Sequence, residues 1–85
     1  MNRSKKEILE NICYTELVYE RIHKKLNIEF SKNQIEAYLL QILKETDEVF
    51  YQKKGKNMYV INAEKNIRIT INSNTVRVIT VDKID

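Results

Sequence analysis

The sequence has no proline, no tryptophan and a single glycine, Gly55. Without a glycine-rich stretch it has no place for a phosphate-binding loop of the Walker type, so that class of nucleotide-binding protein is excluded. Turns must rely on Asn, Asp, Ser and Lys, among which Asn tolerates the left-handed backbone best. Gly55 is therefore the clearest turn signal in the chain.

Cysteine and histidine each occur once, as Cys13 and His23. A lone cysteine forms no internal disulfide, and one Cys with one His does not supply the ligands of a structural zinc site. We therefore expect a reduced, cytoplasmic protein with no metal and no cofactor. Cys13 borders the apolar stripe of the first predicted helix and is expected in the core. His23 is expected on a helix surface.

Long hydrophobic runs are also missing, and nothing approaches the roughly 20 apolar residues that cross a bilayer. The basic segment Met1 to Lys6 is followed by Glu7 and Glu10 rather than by an apolar run, so no signal peptide is expected. The 85 residues fit one domain, and a 42% hydrophobic fraction suffices for its core. We expect a soluble protein with no membrane partner.

Residues 1–47 have the apolar spacing of two or three helices. Ser4 with Glu7 and Ser31 with Gln34 have the spacing of capping boxes, which predicts helices beginning at Ser4 and Ser31. Thr15 predicts a further helix start. The first helix is expected to end near Cys13, the second near Asn27 and the third near residues 46–47. The apolar positions expected to face the core of the second and third helices are Leu17, Val18, Ile22, Leu26, Ile35, Tyr38, Leu39, Ile42 and Leu43.

Residues 48–85 change to period two, which predicts strands near 49–53, 57–62, 66–72 and 75–81. Short links between them favour antiparallel neighbours. The predicted fold class is thus α+β, a single domain in which the helices cover one face of a four-stranded antiparallel meander. Turns centred on residues 54–55, 64–65 and 73–74 would bring apolar residues together across that face: Val49, Val60, Ile69 and Val78 in one row, and Tyr51, Met58, Ile71 and Val76 in the next.

The opposite face of the predicted sheet mixes rings, guanidinium groups and hydroxyls. It is expected to carry Phe50, Tyr59, Ile61, Arg68, Thr70, Arg77 and Ile79, with Asn57, Asn72 and Thr75 toward one end. From Tyr51 to Val81 there are six basic residues and one acid, although the whole chain has a net charge of only +3. A locally basic surface favours an anionic partner.

Rings interleaved with arginine on a sheet are typical of single-stranded nucleic acid binders, in which bases stack on the rings and cations contact phosphate. The candidate binding residues are Lys53, Lys54, Lys56, Asn57, Tyr59, Arg68, Thr70 and Arg77. Protein interfaces are enriched in the same residue types, so a protein partner or a homodimer stays open. A winged helix is a further alternative, but its recognition helix, residues 31–44, would offer only Lys32 and Lys44 to phosphate. We identify no catalytic residues.

The stretch Lys54, Gly55, Lys56, Asn57, Met58, Tyr59, followed by Thr70, Ile71, Asn72 and by Val78, Ile79, Thr80, resembles a family of short bacterial domains of unknown function. That family shows Gly-Lys-Asn-Trp-Tyr, then Thr-Ile-Asn leading to Ile-Ile-Thr-Ala-His-Lys. This sequence departs from it with Met58 for Trp, Val76 for Tyr and Asp82 for His. The resemblance covers the C-terminal half and implies the fold more than a function.

A looser likeness is to ribonuclease toxins of the RelE and barnase-like kind, which would imply a site at Lys56, Tyr59, Arg68 and Arg77, without the histidine such a sheet often carries. Three hypotheses follow. The first is a non-enzymatic binding protein acting on a nucleic acid or nucleoprotein, such as a phage or mobile-element inhibitor of a host defence nuclease (an anti-CRISPR protein, for example). The second is a ribonuclease toxin, and the third is a homodimeric interaction module.

Overall fold

A computed structural model of the chain describes residues 4–84, so Met1 to Arg3 of the basic amino-terminal segment, and Asp85, lie outside the described residues. Three α-helices come first: α1 (Lys5–Asn11), α2 (Glu16–Leu26) and α3 (Lys32–Glu45). A short 3-10 helix (Glu48–Phe50) then leads into β1 (Tyr51–Lys54), β2 (Asn57–Asn62), β3 (Ile67–Asn72) and β4 (Val78–Lys83). The strands form one antiparallel sheet in the order β1-β2-β3-β4. The predicted α+β class is confirmed.

Capping boxes open α1 and α3, as the sequence predicts. The Ser4 hydroxyl accepts the Glu7 amide at 3.2 Å, and the Ser31 hydroxyl accepts the Gln34 amide at 3.2 Å. In both helices the Glu or Gln side chain accepts the backbone amide of the capping serine in return. Asn27 ends α2 in the left-handed conformation, with φ at 53°, which Asn tolerates well. These local signals set where the helices begin and where α2 ends.

The core lies between the helices and the inner face of the sheet. Val60 and Ile69, at the centre of β2 and β3, are fully buried together with the apolar stripes of α2 and α3. Leu17 was expected to join the stripe of α2, and that expectation is wrong, since its side chain is 73% exposed. The buried residues of α2 are Val18, Ile22 and Leu26, and Leu17 lies about 100° around the helix from the first of them.

The β1–β2 hairpin turns one residue later than expected. Lys54 pairs with Asn57, so Gly55 and Lys56 form a two-residue turn in which Gly55 has φ at 61°. Tyr51 consequently lies opposite Val60 rather than Met58, a shift of two residues that keeps every side chain on its predicted face. The shift removes Val49 from the sheet, and its predicted place in the core is wrong because it is 69% exposed.

The β3–β4 pairing also differs from the prediction. Ile69 lies opposite Val81 and Ile71 opposite Val78, with a bulge that leaves Ile79 unpaired between them. The connection is longer than two residues because Val76 turns into the left-handed region with φ at 56°, an uncommon conformation for a β-branched side chain. Val76 nevertheless stays buried, at 2% exposure.

Cys13 holds that connection in place, and its predicted position in the core is wrong. It lies beyond the end of α1 and is exposed. Its backbone forms an isolated parallel bridge with Arg77, in which the Cys13 amide donates to the Val76 carbonyl at 3.0 Å and the Val78 amide donates to the Cys13 carbonyl at 3.0 Å. The link between α1 and α2 thus covers one end of β4.

Candidate functional site

The outer face of the sheet, on the side away from the core, carries the rows of side chains that the register defines. Lys54, Asn57 and Asn72 form one row, Gln52, Tyr59, Thr70 and Thr80 the next, and Ile61, Arg68 and Asp82 the third. Phe50, the last residue of the 3-10 helix, lines a groove with Ile61 at one end of this face. Tyr59 and Arg68 therefore point away from the helices, as predicted.

A shallow groove of about 330 Å³ crosses this face, lined by Gln52, Lys54, Tyr59, Ile61 and Arg68. We call it the sheet groove. Tyr59 is half-buried at its centre, and its hydroxyl accepts a long hydrogen bond of 3.5 Å from the Asn57 side-chain amide. A ring flanked by an ammonium and a guanidinium group has the elements that a base and its phosphates require.

A neighbouring groove of about 350 Å³ shares Ile61 with the sheet groove and has the opposite charge. Phe50, which is 50% exposed, and Ile61 provide its apolar lining. Its rim includes the carboxylates of Glu45, Asp47 and Glu64. The outer face therefore has a basic end at the β1–β2 turn and an acidic end at the start of β1. A polyanion is expected to occupy only the basic end, because carboxylates repel it at the other.

Arg68 does not present an isolated charge. Its guanidinium lies 3.7 Å from the carboxylate of Asp82, its cross-strand partner, and that carboxylate lies 3.0 Å from the Lys25 ammonium. One carboxylate thus serves two cations, and the set keeps a net charge of +1. Lys25 was missing from the sequence-based site because nothing in the chain order indicates that α2 runs beside β4.

The three lysines of the β1–β2 hairpin are all exposed. Lys54 lies on the outer face, Lys53 lies opposite Met58 on β1, which is an edge strand of the sheet that residues 4–84 form, and Lys56 belongs to the turn. The carbonyl of Lys56 accepts the amide and the hydroxyl of Ser73, each at 2.8 Å, so the β3–β4 connection holds the turn. Long cationic side chains here project from a fixed backbone.

Three of the eight predicted site residues, Lys54, Tyr59 and Arg68, line the sheet groove, and Lys53, Lys56 and Asn57 belong to the β1–β2 hairpin next to it. The other two predicted residues offer it no side chain. Thr70 lies on the outer face but is only 5% exposed, so its side chain offers almost no surface to a partner. Arg77 lies before β4, opposite Cys13, where it lines a different groove with Leu17 and Arg21. The predicted cluster is thus reduced to Lys53, Lys54, Lys56, Asn57, Tyr59 and Arg68.

Two tyrosine hydroxyls have structural roles and lie outside the sheet groove. The Tyr19 hydroxyl donates to the Glu36 carboxylate at 2.7 Å, and burial together with this contact raises the pKa of Tyr19 to about 12. The Tyr51 hydroxyl donates to the Leu43 carbonyl at 2.6 Å, and burial raises the pKa of Tyr51 well above its usual range. Both hydroxyls stay protonated at neutral pH.

His23 was expected on an exposed helix surface, and the structure corrects this. The ring is partly buried, and its Nε2 atom lies 2.6 Å from the Phe30 carbonyl. Because a carbonyl only accepts, Nε2 must carry a proton in this contact. His23 therefore ties the end of α2 to the segment before α3, and it takes no part in the sheet groove.

Across residues 4–84, no helix is both long enough and apolar enough to pass through a membrane. Within the same residues, no three side chains among His, Cys, Asp and Glu gather as ligands for a metal ion.

Residues 6–82 match the model of a family described as "Protein of unknown function (DUF3781)". No curated protein and no solved structure matches the chain.

Proposed function

Because the chain belongs to the DUF3781 family, a family of unknown function, we propose its function from the geometry of the sheet: it is a non-enzymatic binding protein whose sheet groove engages a nucleic acid or nucleoprotein. The observation that carries the proposal is the half-buried ring of Tyr59 between Lys54 and Arg68, on the face that the helices leave open. In this arrangement a base stacks on the ring while the cations contact the adjoining phosphates.

Single-stranded nucleic acid suits this site better than a duplex. Stacking on an aromatic side chain contributes about 1–3 kcal/mol per base and requires an unpaired, splayed base. The sheet groove is shallow and follows the pleat of the sheet, so it admits a flat base. It offers no helix or two-stranded ribbon of the kind that enters the major groove of a duplex. The acidic end of the outer face, at Asp47 and Glu64, limits the length of the bound strand to a few nucleotides.

The hairpin lysines supply the charge-dependent part of the affinity. Lys53, Lys54 and Lys56 are exposed, and the turn that carries them is fixed by the hydrogen bonds from Ser73. If each contacts one phosphate, the logarithm of the association constant should fall with the logarithm of salt concentration with a slope of about −2 for a single strand.

The experiment is fluorescence anisotropy with labelled single-stranded RNA, single-stranded DNA and duplex DNA of matched length. The proposal expects saturable binding to single strands that weakens with salt and with Tyr59→Ala. Equal binding to the duplex, or binding that ignores Tyr59→Ala, would rule out the stacking site. Electrophoresis of the same RNA tests the ribonuclease alternative, because cleavage that is lost in Tyr59→Phe would require a catalytic hydroxyl.

More specifically, we propose that the partner is a nucleoprotein. The acidic groove beside Phe50 adjoins the basic sheet groove, so one face offers contacts to protein cations and to phosphates at once. A cytoplasmic protein of a phage or mobile element would in this way block the nucleic acid path of a host defence nuclease, as anti-CRISPR proteins do. Adding the purified protein to cleavage assays of such nucleases, with Tyr59→Ala as the matched negative control, tests this role.

A homodimer is the second candidate, and the exposure of Phe50 favours it. A phenylalanine ring that is half exposed beside the half-buried Ile61 forms an apolar patch of the kind that interfaces cover. Light scattering should then find a dimer that Phe50→Asp converts to monomer. A monomer at every concentration tested would exclude this candidate.

A further inference from the structure

A third groove lies on the opposite edge of the sheet, between α2 and β4. It has a volume of about 290 Å³ and is lined by Thr15, Leu17, Val18, Arg21, Arg77, Val78 and Ile79. We call it the α2–β4 groove. Its floor is apolar, because Val18 and Val78 are buried and Ile79 is half-buried, while two arginines stand on its rim. It does not include any residue of the sheet groove.

Leu17 is the centre of this surface. At 73% exposure it is the most exposed of the large apolar side chains described in residues 4–84. It also lines a second shallow depression with Glu20, Arg21, Lys24 and Lys25. Leu17, Arg21 and Lys24 share one face of α2 at the i, i+4, i+7 spacing, so an apolar side chain is bordered by cations along the helix.

Three of these cations remain available to a partner. Lys25 is engaged by Asp82, but within residues 4–84 no carboxylate lies within ion-pair distance of Arg21, Lys24 or Arg77. Arg21 is oriented by a hydrogen bond of 3.0 Å from its guanidinium to the Ile79 carbonyl, which leaves other N–H groups free to donate. A preorganised guanidinium loses less entropy when it binds a carboxylate.

We propose that the α2–β4 groove docks an acidic amphipathic segment of a partner protein. The segment places an apolar side chain on Leu17 and Ile79, and its carboxylates pair with Arg21, Lys24 and Arg77. Charge complementarity selects an anionic partner, and the exposed leucine selects one with apolar side chains at helical spacing. A nucleic acid fits less well, because the described lining of this groove has no aromatic ring and Leu17 would face phosphates.

The probe is a fluorescein-labelled peptide of about 15 residues with leucines at helical spacing and glutamates elsewhere. A control peptide keeps the charge but replaces the leucines with serine. Fluorescence anisotropy should show saturable binding of the leucine peptide and far weaker binding of the serine peptide. Leu17→Ser should weaken binding about ten-fold, the loss expected for exposing one leucine contact, and Arg77→Glu should weaken it by a similar factor at low salt.

Matched controls distinguish binding at this groove from nonspecific hydrophobic and nonspecific electrostatic binding. Val49→Ser removes another highly exposed apolar side chain, and Lys6→Glu reverses an exposed charge near the amino-terminal end of α1. Both should bind the leucine peptide as the wild type does. All of these substitutions are at exposed positions, so the variants should keep the wild-type circular dichroism spectrum.

Three results with the peptides would overturn the proposal: no binding of the leucine peptide by the wild type, equal binding of both peptides, or binding that Leu17→Ser leaves unchanged. A single-stranded RNA whose affinity falls with Arg77→Glu but not with Tyr59→Ala would assign the groove to nucleic acid instead, which also overturns it. The three peptide outcomes do not bear on the sheet groove, which is tested separately through Tyr59, whereas the RNA outcome would also rule out the stacking site there.

Discussion

The Arg68 guanidinium lies 3.7 Å from the Asp82 carboxylate across β3 and β4. The same carboxylate lies 3.0 Å from the Lys25 ammonium, so it connects the outer face of the sheet to α2. An acid placed between two cations lowers the positive potential that a phosphate would meet at the sheet groove. Asp82 therefore acts on any anion bound there without contacting it.

Removing this carboxylate should strengthen binding at the sheet groove. Asp82→Asn keeps the shape of the side chain and releases both cations, so affinity for a single-stranded oligonucleotide should rise about three- to ten-fold at low salt. The free energy of unfolding should fall by at most about 1 kcal/mol, because partly exposed ion pairs contribute little. Anisotropy titrations and urea melts measure the two effects.

Glu64→Gln is the matched control for that change, since Glu64 lies on the acidic groove rather than beside Arg68. It neutralises one carboxylate and should alter affinity less than Asp82→Asn does. An equal gain from both variants would mean that only net charge matters, and it would contradict a specific role for Arg68.

The ring and the hydroxyl of Tyr59 can be separated by two substitutions. Tyr59→Ala should cost about 1–3 kcal/mol of binding free energy, the loss expected for one stacked base. Tyr59→Phe keeps the ring and should retain most of the affinity. Anisotropy titrations against the same single-stranded oligonucleotide measure both. A large loss in Tyr59→Phe would indicate that the hydroxyl, and not stacking, makes the contact.

The hairpin lysines should set the salt dependence. Replacing Lys53, Lys54 and Lys56 one at a time with Gln should each reduce the slope of log affinity against log salt by about 0.7. The affinity itself should fall for all single-stranded sequences alike, because a phosphate contact does not read bases. Titrations at several salt concentrations give the slopes, and unchanged slopes would remove the hairpin from the site. Lys44→Gln, at the end of α3, serves as the control.

The buried hydrogen bond between Asn62 and Thr46 should stabilise the fold. The Asn62 side-chain amide donates to the Thr46 hydroxyl at 2.9 Å, and that hydroxyl donates to the Ile42 carbonyl at 2.6 Å. Thr46→Val removes the hydroxyl while keeping the volume, so the Asn62 amide is left without this partner, at a cost of about 1–3 kcal/mol. Urea unfolding measures this loss of stability. Thr46→Ser keeps the hydroxyl and should cost less, and equal costs would argue against the hydrogen bond.

Alkaline pH should destabilise the fold through its tyrosines. Burial and the hydrogen bond to Glu36 raise the pKa of Tyr19 from about 10 to about 12, so the folded state retains this proton after the unfolded state has lost it. The contribution of protonated Tyr19 to the free energy of unfolding is fully present below about pH 10 and is lost as the pH rises from about 10 to about 12. Burial shifts the pKa of Tyr14 and Tyr51 in the same direction, which steepens the decline.

Urea melts between pH 8 and pH 11.5 check this prediction. The free energy of unfolding should fall above about pH 10, and Tyr19→Phe should make that fall shallower because one titrating hydroxyl is gone. A wild-type stability that stays level through pH 11 would contradict the raised pKa values.

Much of the fold follows from local signals in the sequence. The two capping boxes and Asn27 act within one helical turn, so they mark where α1 and α3 begin and where α2 ends. The two-residue alternation assigns Val60 and Ile69 to the core, and Tyr59 and Arg68 to the outer face. Face assignment in β1 survives the error in register because the shift there is an even number of residues. In β4 the bulge at Ile79 reverses the alternation, so that Val78 and Val81 both face the core.

The sequence by itself determined the helix starts, the face of each central strand residue and the ring of Tyr59 on the open side. Only the tertiary structure decided which charges meet, because the pairing of Asp82 with Arg68 and Lys25 depends on α2 lying along β4. It likewise decided that Leu17 faces solvent and that Cys13 pairs with Arg77. Such contacts join residues far apart in the chain, and a periodic pattern of apolar residues carries no information about which elements become neighbours.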